Sequence, residues 1–396
     1  MNILQVVPWF ATGKVASGYV QVVYNISKEL VKHGHQVEIY TSNALDMKGK
    51  IGSQNTSILI DGVKINYFDY VMHYYTFFVT PSMISVAKKR LTEFDVIHIH
   101  DVRAFQSMII FHYARKYNIP YVLQAHGSLP RIMAWRRLKW IYDVFFGYRL
   151  LREASKVIAL SKVEAEQYRS MGVPKEKIAI IPNGIDLSKY AKLPPKGSFK
   201  KKFSIPEDKK IILYLGRIHK TKGIDFLVKA YAYLIKKMNF KDAVLVIAGP
   251  DDGYLSKIKF LVRDLGISNS SVLFTGLLSE MDKIRAYVDS DVVVNVEPLN
   301  VYGLVPLEAA ACSTPVIVSK SNAVSEVVAA GKFGYSVKYG SIASLAFTLR
   351  KILDNEKLAE NLGKNGRTYL FNDLDWSKII ERYEQIYKEV THMPKW

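Results

Sequence analysis

Cysteine is almost missing from this chain of 396 residues, where Cys312 stands alone. That excludes an intrachain disulfide and any zinc site built from cysteines, and it fits a reducing compartment, the cytoplasm. Acidic side chains are also scarce: 36 Asp plus Glu face 55 Lys plus Arg, a formal charge of +19. Such an excess implies an anionic partner, whether phosphate, nucleic acid or an acidic membrane surface. No apolar run approaches the ~20 residues that span a bilayer; the longest candidates are short stretches such as 243–249. The opening MNILQVVP lacks a basic leader before an apolar core and reads as a buried strand, so no signal peptide is expected. Low-complexity tracts and short repeats are absent as well. What remains is a globular chain, 49% hydrophobic and 23% charged, long enough for two or three domains. It is expected to be soluble or to rest on a membrane surface.

Short apolar runs alternate with longer segments of helical spacing, beginning with 3–7, 19–33 and 37–40 and continuing through 96–99, 105–117, 121–124, 132–152, 157–160 and 178–181. That rhythm predicts a parallel sheet with crossover helices. Residues 187–210 change character, with Pro194, Pro195, Gly197 and Pro206 among many lysines, and suit a solvated linker. The rhythm restarts at 211–215 and repeats through 244–248, 272–275, 292–294 and 315–318. The expected organisation is α/β: two Rossmann-like, doubly wound domains at 1–190 and 210–375, a linker at 191–209, and a helix at 376–396 packing back toward the first domain. Two such sheets would meet across a central cleft, and their ligands bind beyond the carboxyl ends of the strands.

The most informative stretch is GRIHKTKG at 216–223, after an apolar strand and before a helix that starts at Ile224. Its terminal glycines let the backbone approach a ligand, the helix start offers amides, and Arg217 and Lys222 supply two cations. A diphosphate fits that chemistry; the alternative is a solvated basic loop, since this is neither a P-loop nor a dinucleotide fingerprint. Context comes from NVYGLVPLEAAA at 300–311. There the amides near Gly303 and Leu304 would face the cleft. Glu308, one turn after Leu304, can reach a ribose hydroxyl on the same side. The alternative is a surface glutamate, but its neighbours are almost all apolar, which makes an idle, unpaired carboxylate costly.

Together, GRIHKTKG, VYGLVPLEAAACSTPVIVS at 301–319 and IIPNGID at 180–186 resemble the retaining glycosyltransferases of family 4, which have the GT-B fold. Ser17-Gly18-Tyr19 with the helix up to His33, DVIHIHD at 95–101, Ala125-His126-Gly127 and Asp375-Trp376 extend the likeness over nearly the whole chain. The resemblance implies that Arg217 and Lys222 bind the diphosphate of a nucleotide sugar and that Glu308 contacts the ribose. It also implies that His126 lies beside the donor sugar and that the loop holding Gly18 approaches the phosphates, with Gly216, Gly303 and Leu304 completing the donor site. His100 and Asp101 are the acceptor-side candidates; otherwise His98 and His100 read as packing or turn residues at a strand's end, and His126 as a strand-end residue. The departures are specific. Asn300 stands where the family carries the first of two glutamates, the one that contacts donor-sugar hydroxyls; Asn keeps hydrogen bonding but loses charge. Glu297 is close enough in sequence to substitute, although Pro298 restricts the backbone between them. Ser17 and Ser313 replace common glycines.

The implied reaction moves a hexose from a UDP- or GDP-linked donor to a hydroxyl with anomeric configuration retained, needing no metal and no other cofactor. Residues 131–156 mix Arg131, Arg136, Arg137 and Lys139 with Trp135, Trp140, Phe145 and Phe146. This suits an anionic membrane interface and a glycan or lipid-linked acceptor at the inner face of the membrane. The alternative is a partly buried crossover helix with a solvated basic face, and the aromatic stretch 67–78 poses the same choice. Competing functions are a nucleotide-sugar epimerase of the same fold and a nucleic-acid binder. The first needs an acid–base pair that His126 alone does not supply. For the second, charge is spread over both halves and no recognition module is apparent, so nucleic acid is not expected as a partner.

Overall fold

The computed structural model describes residues 1–10, 18–45, 49–52, 54–74, 76–131, 135–297 and 302–393. The chain forms two compact units, Met1–Gly184 with the C-terminal helix Trp376–His392, and Ile185–Asp375.

The first unit carries β1 (Asn2–Trp9), β2 (Gln36–Ser42), β3 (Thr56–Ile60), β4 (Val63–Phe68), β5 (Met72–Tyr74), β6 (Phe77–Val79), β7 (Val96–His100), β8 (Tyr121–Gln124), β9 (Lys156–Ala159) and β10 (Ile178–Ile180). Its main sheet runs β10-β9-β8-β7-β1-β2-β4-β3, parallel except for β3, which pairs antiparallel with β4 across the turn at Asp61-Gly62. β5 and β6 form a separate hairpin. The central strands are apolar on both faces because helices cover both, as parallel sheets require: Ile3, Leu4, Val6 and Val7 on β1 and Val96, Ile97 and Ile99 on β7 are fully buried. The C-terminal helix lies on this sheet with Ile379, Ile380, Tyr383 and Tyr387 buried.

The second unit carries β11 (Lys210–Leu215), β12 (Ala243–Ala248), β13 (Val272–Gly276), β14 (Val292–Asn295), β15 (Val316–Ser319) and β16 (Gly334–Val337), ordered β13-β12-β11-β14-β15-β16 and parallel throughout. The winding reverses between β11 and β14, the place where such sheets open a ligand crevice at their carboxyl edge.

Two boundaries differ from expectation. The chain crosses into the second unit at Gly184/Ile185, ahead of 190. Residues 191–209 are no solvated linker. They contain the helix Ser198–Lys202, whose Phe199 is fully buried. Buried Asp289 accepts the backbone N–H groups of Gly197, Phe199 and Lys200 at 2.6, 2.6 and 3.0 Å. A run of lysines outweighed one anchoring aromatic in the composition.

Candidate active site

In the second unit, the 216–223 loop leaves the carboxyl end of β11 and the segment holding Glu297, Gly303 and Glu308 leaves that of β14, its neighbour at the reversal. Two close approaches shape the loop. Gly249, after β12, sits so near that a Cβ on it would fall 1.9 Å from the Gly216 carbonyl oxygen. Gly223, at φ +69°, would place one 2.0 Å from that of Val296. The second contact pins the turn Lys220–Lys222 against the end of β14. As a result Lys222 Nζ meets both carboxylate oxygens of Glu297, at 2.9 and 3.0 Å, with the Glu297 side chain only 8% exposed. Arg217 pairs with Asp252 at 2.5 Å in an open surface contact. Both cations expected to stand ready for an anion are thus already neutralised, and Glu297 is turned to Lys222.

Glu308 belongs to the short helix Val305–Ala311, with Leu304 at its N-cap position and Gly303 beside the Asn295 amide. The carboxylate has a partner within its own unit: Oε2 accepts the Tyr287 hydroxyl proton at 2.6 Å. Burial, reinforced by Glu308, holds that phenol far above its ordinary pKa. Burial works against the Lys283 cation, yet Glu308 and Glu280 outweigh it and push its pKa up. Burial and then Glu308 push the Cys312 thiol up to about 12, which keeps it protonated at neutral pH. Asn300 lies outside the described residues.

In the first unit the candidate histidines form a column. Alternation along β7 puts His98 and His100 on one face, their rings 4.0 Å apart, and the His126 ring, beyond the end of β8, stacks on His100 at 5.0 Å. His100 Nε2 donates to Gln5 Oε1 at 2.6 Å, so Nδ1 of this neutral ring is the acceptor for His126 Nε2–H at 2.8 Å. Gln5 Nε2 donates to the Tyr387 hydroxyl at 3.4 Å, which in turn donates to His98 Nδ1 at 2.7 Å. Burial, with a lesser contribution from neighbouring histidines, drives His98 and His100 far below the ordinary histidine pKa. Burial alone takes His126 from 6.5 to about 3. His126 Nδ1 is left as a buried acceptor with no partner among the described residues.

The loop that presents His126 is strained and tied down. His126 and Gly127 both adopt left-handed φ, +51° and +81°. Buried Glu164 holds the turn by accepting the N–H groups of Gly127 and Leu160, each at 2.7 Å. Asp101, at φ +81°, accepts from Ser128 Oγ at 2.9 Å and from the Arg103 amide at 3.2 Å, so its carboxylate organises this same loop. Gly18 opens the helix Gly18–Lys32 with open space where a Cβ would be; residues 11–17 of its loop lie outside the described residues. Gln5, Glu164, Tyr287 and Tyr387 escaped the sequence reading. The Ser-x-x-Glu cap pattern at 161–164 was a usable signal for Glu164. Among the described residues, no group of three or more His, Cys, Asp or Glu is placed to share a metal ion, and no helix is long and apolar enough to cross a membrane.

Two doubly wound sheets carrying these carboxyl-edge loops define a GT-B glycosyltransferase fold. Residues 16–189 match the model of Glycosyltransferase Family 4 and residues 195–369 that of Glycosyl transferases group 1. The chain belongs to glycosyltransferase family 4. It is 26% identical to an uncharacterized glycosyltransferase of Methanocaldococcus jannaschii, over 98% of this chain and 99% of that one. It is 24% identical to the N-acetyl-alpha-D-glucosaminyl L-malate synthase of Bacillus anthracis, over 92% of each. Among solved structures, Anabaena HepE in complex with UDP-glucose superposes with a TM-score of 0.74 at 18% identity, covering 99% of this chain and all of that one.

Proposed function

We propose that this glycosyltransferase moves a hexose from a UDP- or GDP-linked donor to a hydroxyl of a glycan or lipid-linked acceptor, with anomeric configuration retained, at the inner face of the membrane. The observation that carries the reading is that the Arg217–Lys222 loop and the segment holding Glu308 leave the carboxyl ends of β11 and β14, the two strands at the reversal of the second sheet. Arg217 and Lys222 take the diphosphate and Glu308 the ribose, with Gly216, Gly303 and Leu304 bringing backbone close to it. Asn300 meets the sugar. In the first unit, His126 Nδ1 accepts a hydroxyl proton of the transferring sugar, Gly18 leaves room for the donor, and His100 and Asp101 hold the His126 loop.

In the transfer, the bond from the anomeric carbon to the phosphate oxygen breaks while a bond to the acceptor oxygen forms on the same face. The acceptor's proton passes to the departing phosphate. The charge that accumulates on that phosphate is the main barrier. A cation about 4 Å away is worth roughly 4 kcal/mol at an effective dielectric near 20, so Arg217 and Lys222 supply the electrostatic stabilisation without a metal. The bound HepE donor and the family membership support a nucleotide sugar; no observation favours the epimerase. The test is a panel of UDP- and GDP-hexoses scored for thermal stabilisation and slow hydrolysis, on the wild type and Arg217→Ala. One donor should stabilise the wild type and lose that effect in the variant. Equal shifts in both proteins would sink the reading.

A further inference from the structure

The face of the first unit around the helix Arg136–Tyr142 is unlike the rest of its surface. That helix buries none of its residues. Trp140 is 53% exposed and Phe145 70%, and Trp135, Leu138, Ile141 and Phe146 are exposed with them. The hairpin β5–β6 extends the patch through Val71, Met72 and Tyr74, whose ring meets that of Trp135 edge-on at 5.3 Å. By contrast Tyr67, Phe68, Tyr70 and Phe78 are buried, which resolves the aromatic stretch 67–78 into a core part and an exposed tip. A contiguous cluster of this kind marks an interaction surface.

The patch is rigidly mounted. Asp143, fully buried in the turn after the helix, is held by Arg103 at 2.8 and 2.9 Å and by Arg131 at 2.7 Å. Beside the patch opens a cavity of about 660 Å³ whose lining includes Arg131, Arg136, Arg137, Trp140, Tyr148 and Gln167. Among the described residues neither Arg136 nor Arg137 is in an ion pair, and Gln167 Oε1 is a buried acceptor without a partner. Exposed arginines call for an anion, and the amide oxygen for a hydroxyl.

We infer that this face docks on an anionic phospholipid bilayer, with the exposed aromatics at headgroup depth and the arginine-lined cavity receiving the phosphate of a polyol headgroup. Trp and Phe interleaved with Arg, on a chain of formal charge +19, complement an apolar layer rimmed by phosphates. The surface deepens the lipid-linked-acceptor reading and rests on it only for its purpose, because lipid binding is measured without substrate. Failure of either leaves the other standing.

The test is co-sedimentation of the full chain with phosphatidylglycerol–phosphatidylcholine vesicles and with phosphatidylcholine vesicles alone. Two double variants accompany it, Arg136→Glu with Arg137→Glu and Trp140→Ser with Phe145→Ser. All four residues are exposed, and unchanged thermal melts verify the fold. The wild type should bind the anionic vesicles, and each double variant should bind them at least about tenfold more weakly, the first by losing its attraction to headgroup phosphates and the second by losing the aromatics at headgroup depth. Absence of wild-type binding, or binding that neither variant weakens, overturns the inference. So does a wild-type dimer in gel filtration that Trp140→Ser with Phe145→Ser dissolves, which assigns the face to a second copy.

Discussion

The proton between His126 and His100 belongs to His126: its Nε2 lies 2.8 Å from His100 Nδ1, and His100 has already committed its own proton to Gln5 Oε1. The tautomer of the histidine proposed to face the sugar is therefore set two residues away, on β1, and tied through Tyr387 to the C-terminal helix. Gln5→Leu removes that instruction without touching His126. It should lower kcat by ~10-fold or more, the scale expected when a reacting group loses its orientation, and leave the affinity for the nucleotide product unchanged. Imidazole ¹⁵N spectra should show the Nε2–H form of His126 in the wild type and both tautomers in the variant. A single Nε2–H form in both proteins would break the relay argument.

The contact of Lys222 with Glu297 sets a competition. An incoming diphosphate must share or displace a carboxylate that grips the ammonium with both oxygens. Removing the carboxylate charge in Glu297→Gln should tighten binding of the nucleoside diphosphate about tenfold, or ~1.4 kcal/mol, as read by titration calorimetry. In Lys222→Ala the same ligand should bind more weakly, and kcat/KM should fall by up to ~10³. Weaker binding in Glu297→Gln would mean that the pair positions Lys222 and does not compete for it.

The alternation of strands and helices was legible because both sheets are covered on both faces, so β11 and β12 read as unbroken apolar runs. The region between 40 and 96 yielded no strand or helix expectation, although Asp61-Gly62 between two apolar stretches is a hairpin signal that fits β3 and β4. Single residues told less. Lys222 and Glu297 are 75 positions apart, and only the adjacency of β11 and β14 brings them together. His98 reads as a packing or turn residue at a strand's end; the column it joins depends on Gln5 lying opposite it on β1 and on a helix almost 300 residues later, Tyr387 being 289 positions away. Patterns that repeat along the chain survive in one dimension, whereas pairings made by strand order do not.

The histidine column also fixes how acid acts on the protein. His98, His100 and His126 all have folded pKa values below the ordinary 6.5, so the unfolded chain binds more protons as pH falls. Their contribution to stability is complete above 6.5 and is lost as pH drops toward about 3, the value for His126. Glu164, raised by burial, titrates in the opposite sense and offsets at most one proton. Near pH 5, stability should fall by about 3–4 kcal/mol per pH unit, in a range where carboxylates with lowered pKa values still contribute little. Urea unfolding between pH 7 and 5 measures it. His98→Asn, which keeps an acceptor for Tyr387, should reduce the slope by about one proton's worth, ~1.4 kcal/mol per unit. An unchanged slope would show that His98 is not a source of it.

Ser313 carries a backbone cost, because it adopts a left-handed conformation. It follows Cys312 at the end of the helix Val305–Ala311, adopts φ +62°, and closes the helix end by donating its N–H to the Ala310 carbonyl at 3.0 Å while Thr314 donates to Ala309 at 2.9 Å. A left-handed residue in this role is ordinarily glycine, because a Cβ there costs about 1 kcal/mol. The added freedom of glycine in the unfolded chain returns part of that gain, so Ser313→Gly should stabilise the second unit by about 0.5 kcal/mol and raise its melting temperature by a degree or two. Nothing beyond the side chain needs to move, since its carbonyl already packs where a Cβ on Gly363 would fall 2.0 Å away. The donor site should be untouched, with nucleotide affinity and kcat equal to wild type. A lower melting temperature would show that the serine hydroxyl stabilises the helix end by more than the backbone strain costs.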